Sequence, residues 1–544
     1  MKDSRTELVT IVHPERIVTM QGIVENPDII LQKRPPIATF ERAPFTKLIK
    51  TGEENPYVVL DFGKELHGSL RPVVARLNKK KHVRVRLVFG ESVSEALASV
   101  GSDTSTNDHS PRDFETILSS FSNVDYALTG FRFVRIELLE EAELALKCVV
   151  AVSKTSPAEQ KGYLRTDNER LNKILDVATY TCFLNLQQGV IWDGIKRDRL
   201  VWAGDLNTEI LTLMYMYGSV ENIPNSLDVL RDNTTADEWM NDIPSYSVWW
   251  VLNHFDYYRL GGDLEYLLSG MERINHILKN LDLCVNDDGT SDFARTGGAG
   301  HMPYFLDWPT RGTNDEVVGT MLLIYLMAKK ICETPVDGVD LDAARSLIRK
   351  LERFLDAPTL MKQTLAMQEF CGGRAADAKA RLEEGGAKGF STFMSYFLLK
   401  GLDVAGSREA LRLAIEYYGA MLDRGATTFW EDFDMNWLEG SGRIDEIPAP
   451  GMKDLHADYG KYCYKGLRHS FCHGWSSGVV SWAVEDLLGL KVLAPGYSKI
   501  SLSPNLEAVG MIDACIPTPN GNLYVKAERG QELQITLPEG VELV

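Results

Sequence analysis

A chain of 544 residues predicts roughly three to four domains at about 150 residues each. With 44% hydrophobic and 25% charged residues it can bury large cores without metals or disulfides, which excludes disorder for its bulk. Its 58 basic against 76 acidic side chains give a net charge of −18, a sign that repels nucleic-acid phosphates and anionic membranes.

The single short basic run is Lys79-Lys80-Lys81, in a loop-like setting. No apolar stretch reaches the length of a membrane span. Met1 to Glu7 lacks the apolar segment of an export signal, so a cytoplasmic chain is expected unless such a signal has been removed. The eight cysteines (Cys148, Cys182, Cys284, Cys332, Cys371, Cys463, Cys472 and Cys515) are scattered without a CxxC pair. They read as reduced thiols, not as a disulfide scaffold or a zinc site.

Residues 1 to about 158 read as β. Val58 to Gly63, Val83 to Val88 and Phe131 to Ile136 are short β-branched or alternating runs divided by turn residues, a pattern that favours a sandwich. Gly101 to Asp113 is polar and predicts a long loop. From about 159 the periodicity becomes helical. Apolar residues at Leu171, Ile174, Leu175 and Ala178 predict a helix over Glu169–Leu184. Similar patterns cover 209–217, 264–281, 317–332, 341–355, 375–382, 408–421 and 479–488. Many helices over 159–490, with Trp, Asp, His and Gly in the connecting loops, suit a toroid of paired helices whose function sits on loops at one end. After Pro495-Gly496 the pattern returns to β: Ile500 to Ser503, Leu523 to Lys526 and Leu533 to Leu537 alternate around the turn Pro519 to Asn522.

The densest chemistry lies between Trp192 and Asp205, where Asp193, Lys196, Arg197, Asp198, Arg199, Trp202 and Asp205 fall close together. A structural ion-pair network would account for the charges. Two indoles mixed with carboxylates suit sugar handling better, because carboxylates and Arg hydrogen-bond vicinal hydroxyls and indole faces cover a pyranose ring. A second acidic and aromatic cluster runs from Ala426 to Trp437 and includes Glu431; its aromatic rings would equally serve a core. Ser470 to Gly478 holds His473, which alone reads as a structural histidine, and Cys472, which is discounted as a nucleophile because adjacent side chains rarely face each other. Tyr304 to Pro309 contains Trp308, either a loop anchor or a ring for a ligand. GxGxxG, Walker A and HExxH motifs are missing, so nucleotide-dependent and zincin readings lack their parts.

Together these clusters resemble the bacterial α-L-rhamnosidases of glycoside hydrolase family seventy-eight. That family's signature runs roughly Asp-Cys-Pro-x-Arg-(Asp)-Glu-Arg-x-Gly-Trp-x-Gly-Asp, and Asp193, Arg197, Arg199, Trp202, Gly204 and Asp205 fit it. The Thr-Thr-x-Trp-Glu segment looks like Thr427 to Glu431, and the Asp-Trp and Ser-x-x-His segments look like Asp307-Trp308 and Ser470 to His473. Leu60 to Gly63 and Gly130 to Val134 resemble the N-terminal sandwich, and Ala494 to Tyr497 with Pro517 to Gly521 the C-terminal β-domain. Asp198 stands where most members carry Glu, Gly194-Ile195 replaces Cys-Pro, and Val201 replaces Gly.

The resemblance implies an α and β multidomain chain. A central (α/α)6 barrel over 159–490 would lie between an N-terminal β-sandwich over 1–158 and a small C-terminal β-domain over 491–544. It implies an inverting glycosidase releasing a terminal α-L-rhamnose or similar deoxy-sugar, with Asp198 as acid and Glu431 as base. Asp193, Arg197, Trp202, Asp205, Trp308 and His473 would bind the sugar. No metal or cofactor is expected. The expected partner is a carbohydrate, not nucleic acid or a membrane, and a homodimer is compatible with the chain. Two other readings stay open at this point: another six-hairpin enzyme acting on uronic-acid sugars, for which Lys196, Arg197 and Arg199 would suit a carboxylate, and a non-catalytic carbohydrate-binding relative.

Overall fold

The structure is a computed structural model describing residues 7–77, 80–101, 104–296, 298, 300–462 and 464–544. Lys79, Cys463, positions 102 and 103 of the polar loop and residues 1–6 lie outside the described residues.

The N-terminal unit is a nine-stranded antiparallel set organised around the 18-residue strand Tyr57–Val74. In His82–Gly90 the β-branched and aromatic residues Val83, Val85, Leu87 and Phe89 alternate inward, which is the period a half-buried strand needs. The long strand pairs first with Arg16–Gln21 and then with Ala142–Thr155, while Tyr126–Leu138 runs along its length. Its register shifts between Asp61 and Leu66, where Gly63 takes φ 83°, a conformation that suits glycine. Leu48, Leu60, Phe62, Leu87, Phe131 and Leu144 close one apolar core inside these strands.

The helical unit follows, and Glu169–Leu184 forms as its spacing predicts. The helix expected over 264–281 is two, Leu264–Ser269 and Met271–Cys284, divided at Gly270. The one expected over 341–355 is α-helical to Leu351 and then tightens into a 3-10 turn. Four helices absent from the periodicity also form: Asn222–Asp232, Pro244–Gly261, Lys362–Cys371 and Ser395–Val404.

The helix contacts form a closed cycle. Leu206–Met216 packs on Pro244–Gly261, which packs on Asn314–Glu333, which packs on Lys362–Cys371. The cycle continues through Ser395–Val404 to Val479–Trp482, which returns to Leu206–Met216. Glu169–Leu184, Met271–Cys284, Leu341–Leu351 and Ala410–Asp423 pack against members of this cycle and show one apolar stripe each.

Two small sheets complete the chain. Tyr163–Thr166 pairs with Met511–Thr518, which continues to Gly521–Glu528 and Gln534–Thr536. Leu490–Ala494, Lys499–Leu502 and Glu542–Leu543 form the other. Among the described residues no helix is long and apolar enough to cross a membrane.

The β and helical units are joined by buried polar contacts. Arg132 pairs with Asp61 at 2.8 Å and donates to the Gly425 carbonyl at 2.9 Å, and Tyr180 donates to the Glu65 carbonyl at 2.7 Å.

Candidate active site

The loop from Trp192 to Asp205 leads into the helix Leu206–Met216, and backbone bonds fix it on two sides. The Gly474 amide donates to the Asp193 carbonyl at 2.8 Å, and the Gly130 amide of the β unit donates to the Ile195 carbonyl at 3.0 Å. Within the loop, the Asp193 and Leu200 backbones bond, and the Leu200 amide also donates to Asp193 Oδ1 at 3.0 Å. Asp198 and Arg199 follow each other in the left-handed region, at φ 55° and 58°. This is costly for non-glycine residues, though least so for Asp and Asn.

Glu431 arrives from the loop after Ala410–Asp423. Its amide donates to the Ser470 carbonyl at 3.0 Å, and the Ser470 amide donates to its Oε2 at 3.2 Å. Trp475 Nε1 donates to its carbonyl at 2.8 Å. Trp308 starts a short 3-10 turn whose first amide is capped by Asp307 Oδ1 at 2.8 Å, and its ring stacks on Tyr462 with centroids 4.8 Å apart.

These loops meet at a cavity of about 250 Å³. Of the residues singled out in the sequence, Asp193, Asp198, Trp202 and Asp205 line it from one loop, and Trp308, Glu431 and His473 line it from three others. The eighth, Arg197, joins two of them: its Nη1 donates to Asp198 Oδ1 at 2.9 Å and its Nη2 donates to Glu431 Oε1. Two carboxylates distant in sequence therefore hang on one guanidinium. His473 Nε2 stands 3.7 Å from Asp193, 3.8 Å from Asp205 and 3.9 Å from Glu431.

The electrostatics divide the carboxyls. Burial raises Asp193 well above the ordinary carboxylate range, and its neighbours Asp198 and Asp205 push the same way. Burial raises Asp205 likewise, with Glu431 adding to it. A carboxyl raised in this way holds its proton to higher pH, and a protonated carboxyl can both donate to and accept from a hydroxyl. Burial, with Arg197 nearby, holds His473 well below its ordinary value and hence neutral. Asp432, next to Glu431, is pushed up to about 7, chiefly by burial.

Ile243, Tyr246, His301, Met302, Tyr464 and Trp475 also line the cavity without having been singled out. Tyr246 belongs to Pro244–Gly261, a helix with apolar residues on nearly every side and no stripe to mark it. Trp475 lies inside the Ser470 to Gly478 segment, so proximity in sequence was the one available signal.

The basic residues of the 196–199 run turn away from the role a uronic acid would need. Lys196 is buried against Glu95 at 2.9 Å and Glu91 at 3.5 Å, both from the β unit, and donates to the Leu467 and His469 carbonyls at 2.7 Å each. Glu91 in turn accepts the Phe471 amide at 2.6 Å, one residue from the amide that holds Glu431. Glu91, Glu95 and His456 converge closely enough for a metal ion, and the Lys196 ammonium already lies within 3.3 Å of His456 Nε2 among them. Lys196→Met leaves the buried Glu91 without its cation, while Glu95 keeps Arg112 at 3.2 Å, and is expected to destabilise the fold by about 3–5 kcal/mol. Proton uptake by Glu91, which burial pushes up to about 7, limits that loss. The midpoint of urea unfolding checks it; an unchanged midpoint would mean that the pair contributes nothing.

Comparison with known proteins gives a consistent picture. Residues 159–318 match the family model described as the bacterial alpha-L-rhamnosidase six-hairpin glycosidase domain. An alpha-L-rhamnosidase of Alteromonas sp. (strain LOR) is 24% identical over 536 aligned positions, covering 88% of this chain and 55% of that protein. The chain thus spans about half the length of the curated relative it matches. Among solved structures, a family seventy-eight rhamnosidase of Bacillus sp. GL1 aligns with a TM-score of 0.70 and 18% identity over 95% of this chain and 56% of that one. A rhamnosidase from Klebsiella oxytoca, solved with rhamnose bound, aligns with a TM-score of 0.67 and 19% identity over 88% of this chain and 96% of that one. The resemblance read from the sequence is borne out, and the fold is that of the family seventy-eight rhamnosidases.

Proposed function

We propose that the protein is an inverting glycoside hydrolase that releases a terminal α-L-rhamnose or a closely similar deoxy-sugar. The observation that carries this reading is the cavity itself: it gathers Asp193, Asp198, Asp205 and Glu431 around indole rings, with no lysine or arginine among its described lining residues and the nearby Arg197 guanidinium taken up by Asp198 and Glu431. A neutral sugar needs such a wall, whereas a uronic acid needs a cation there. Ile243 and Met302 add apolar surface of the kind that a 6-deoxy methyl group can occupy.

In the proposed reaction Asp198 protonates the glycosidic oxygen as its bond to the anomeric carbon breaks. Glu431 takes a proton from water attacking the opposite face, so configuration inverts without a covalent intermediate. Arg197 holds both carboxyls in the free enzyme, and substrate with its water enters between them. Asp193, Asp205 and His473 bond the sugar hydroxyls, and Trp202 and Trp308 pack on the ring. The closed helix cycle, with its outer helices, supports a central (α/α)6 barrel over 159–490. The N-terminal strands then form the β-sandwich over 1–158, and the two small sheets the β-domain over 491–544, to which Tyr163–Thr166 lends an edge strand.

Hydrolysis of aryl α-L-rhamnosides, compared with aryl β-D-glucuronides and α-L-fucosides, tests the substrate class. Release from the rhamnoside alone is expected. Preference for the glucuronide would overturn the neutral-sugar reading.

A further inference from the structure

The β unit reaches the proposed acid directly. The Asp198 amide donates to His109 Nδ1 at 2.6 Å, and the same Nδ1 lies 3.5 Å from Asp198 Oδ1. His109 sits in the polar 101–113 loop, and both side chains are partly open to solvent, at 32% and 24%. Because Nδ1 accepts the amide proton, the ring's own proton sits on Nε2. The contact falls at the left-handed pair Asp198–Arg199. Arg199 strengthens it from the other side: its Nη1 donates to the His109 carbonyl at 3.3 Å and the Leu128 carbonyl at 3.2 Å, and its guanidinium lies over Trp192.

Resting on the reading of Asp198 as the acid, we propose that His109 is a positioning residue for it. A strained turn persists only when its surroundings over-determine it, and the His109 bond is one of its few fixed points. Without the Nδ1 acceptor the Asp198 amide loses its partner, and the turn can carry the carboxyl away from the leaving oxygen. The other charged groups around this contact are already engaged. Arg197 is bonded to Asp198 and Glu431, and Arg112 to Glu95. Asp108 is paired with Arg468 at 3.1 Å.

The test uses the full chain with His109→Asn and His109→Ala, assayed on an aryl rhamnoside with a good leaving group and an alkyl rhamnoside with a poor one. Asn keeps an acceptor near the Nδ1 position. His109→Ala is expected to lower kcat on the alkyl substrate about 10- to 100-fold with little change in KM, and to lower it much less on the aryl substrate. His109→Asn is expected to restore the rate on the alkyl substrate. Equal losses on both substrates, no loss in His109→Ala, or no rescue by His109→Asn would overturn the inference while the reading of the site stands. A wild-type chain that cleaves neither glycoside would overturn both. Should His109→Ala fail to fold, His109→Phe, which keeps a ring without the acceptor, decides by the same contrast between alkyl and aryl substrates.

Discussion

Asp198→Asn is expected to lower kcat/KM on an alkyl α-L-rhamnoside by about 10²- to 10⁴-fold, the contribution usual for a general acid. The substitution is clean. Asn retains an oxygen for the Arg197 Nη1 bond of 2.9 Å, and it tolerates the left-handed backbone at φ 55° as well as Asp does. An aryl rhamnoside with a good leaving group departs with little protonation, so it should keep much of its rate. A loss independent of the leaving group would move the acid role to another carboxyl of the cavity, with Asp193 and Asp205 next in line.

Glu431→Gln should behave differently. Water must be activated whichever group departs, so both substrates should lose about 10²- to 10⁴-fold. The Gln oxygen can still accept from Arg197, although the bond from the Ser470 amide to Oε2, 3.2 Å in the wild type, then faces an amide nitrogen. Measuring kcat and KM separately distinguishes loss of chemistry from loss of sugar binding. Full activity in Glu431→Gln would remove it from the mechanism. Taken with Asp198→Asn, the pair gives opposite leaving-group signatures from two carboxyls that share one guanidinium, a contrast that misfolding does not reproduce.

The fold was legible mainly where one face of an element meets water, although Asn222–Asp232, with Ile223, Leu227 and Leu230 on one buried face, was missed. Glu169–Leu184 and Ala410–Asp423 each carry a stripe, and the sequence locates both. Pro244–Gly261 and Lys362–Cys371 belong to the packed cycle and are buried on nearly all sides, so polar residues such as Asn253, Gln363 and Gln368 interrupt the pattern without marking an exposed face. Ser395–Val404 is hidden for the same reason. In the site, the residues in the Trp192–Asp205 loop announced themselves because acid, base and indole crowd into one short stretch. Tyr246, His301 and Met302 come singly from separate elements, and no local composition marks them. His109 lies in a loop that reads only as polar; its nearness to Asp198 depends on how the β unit docks, which is a tertiary fact. The Lys196 to Arg199 run shows the limit from the other direction. As a string it suggests an anion site, yet buried glutamates, carboxyls of the cavity and backbone carbonyls take up its cations one by one.

Proton NMR of the first sugar released from an aryl α-L-rhamnoside, recorded before mutarotation equilibrates the anomers, tests the central claim most directly. Single displacement by water activated at Glu431 predicts β-L-rhamnose as the first product. First appearance of α-L-rhamnose would mean two displacements through a covalent intermediate, and would contradict the roles assigned to Asp198 and Glu431.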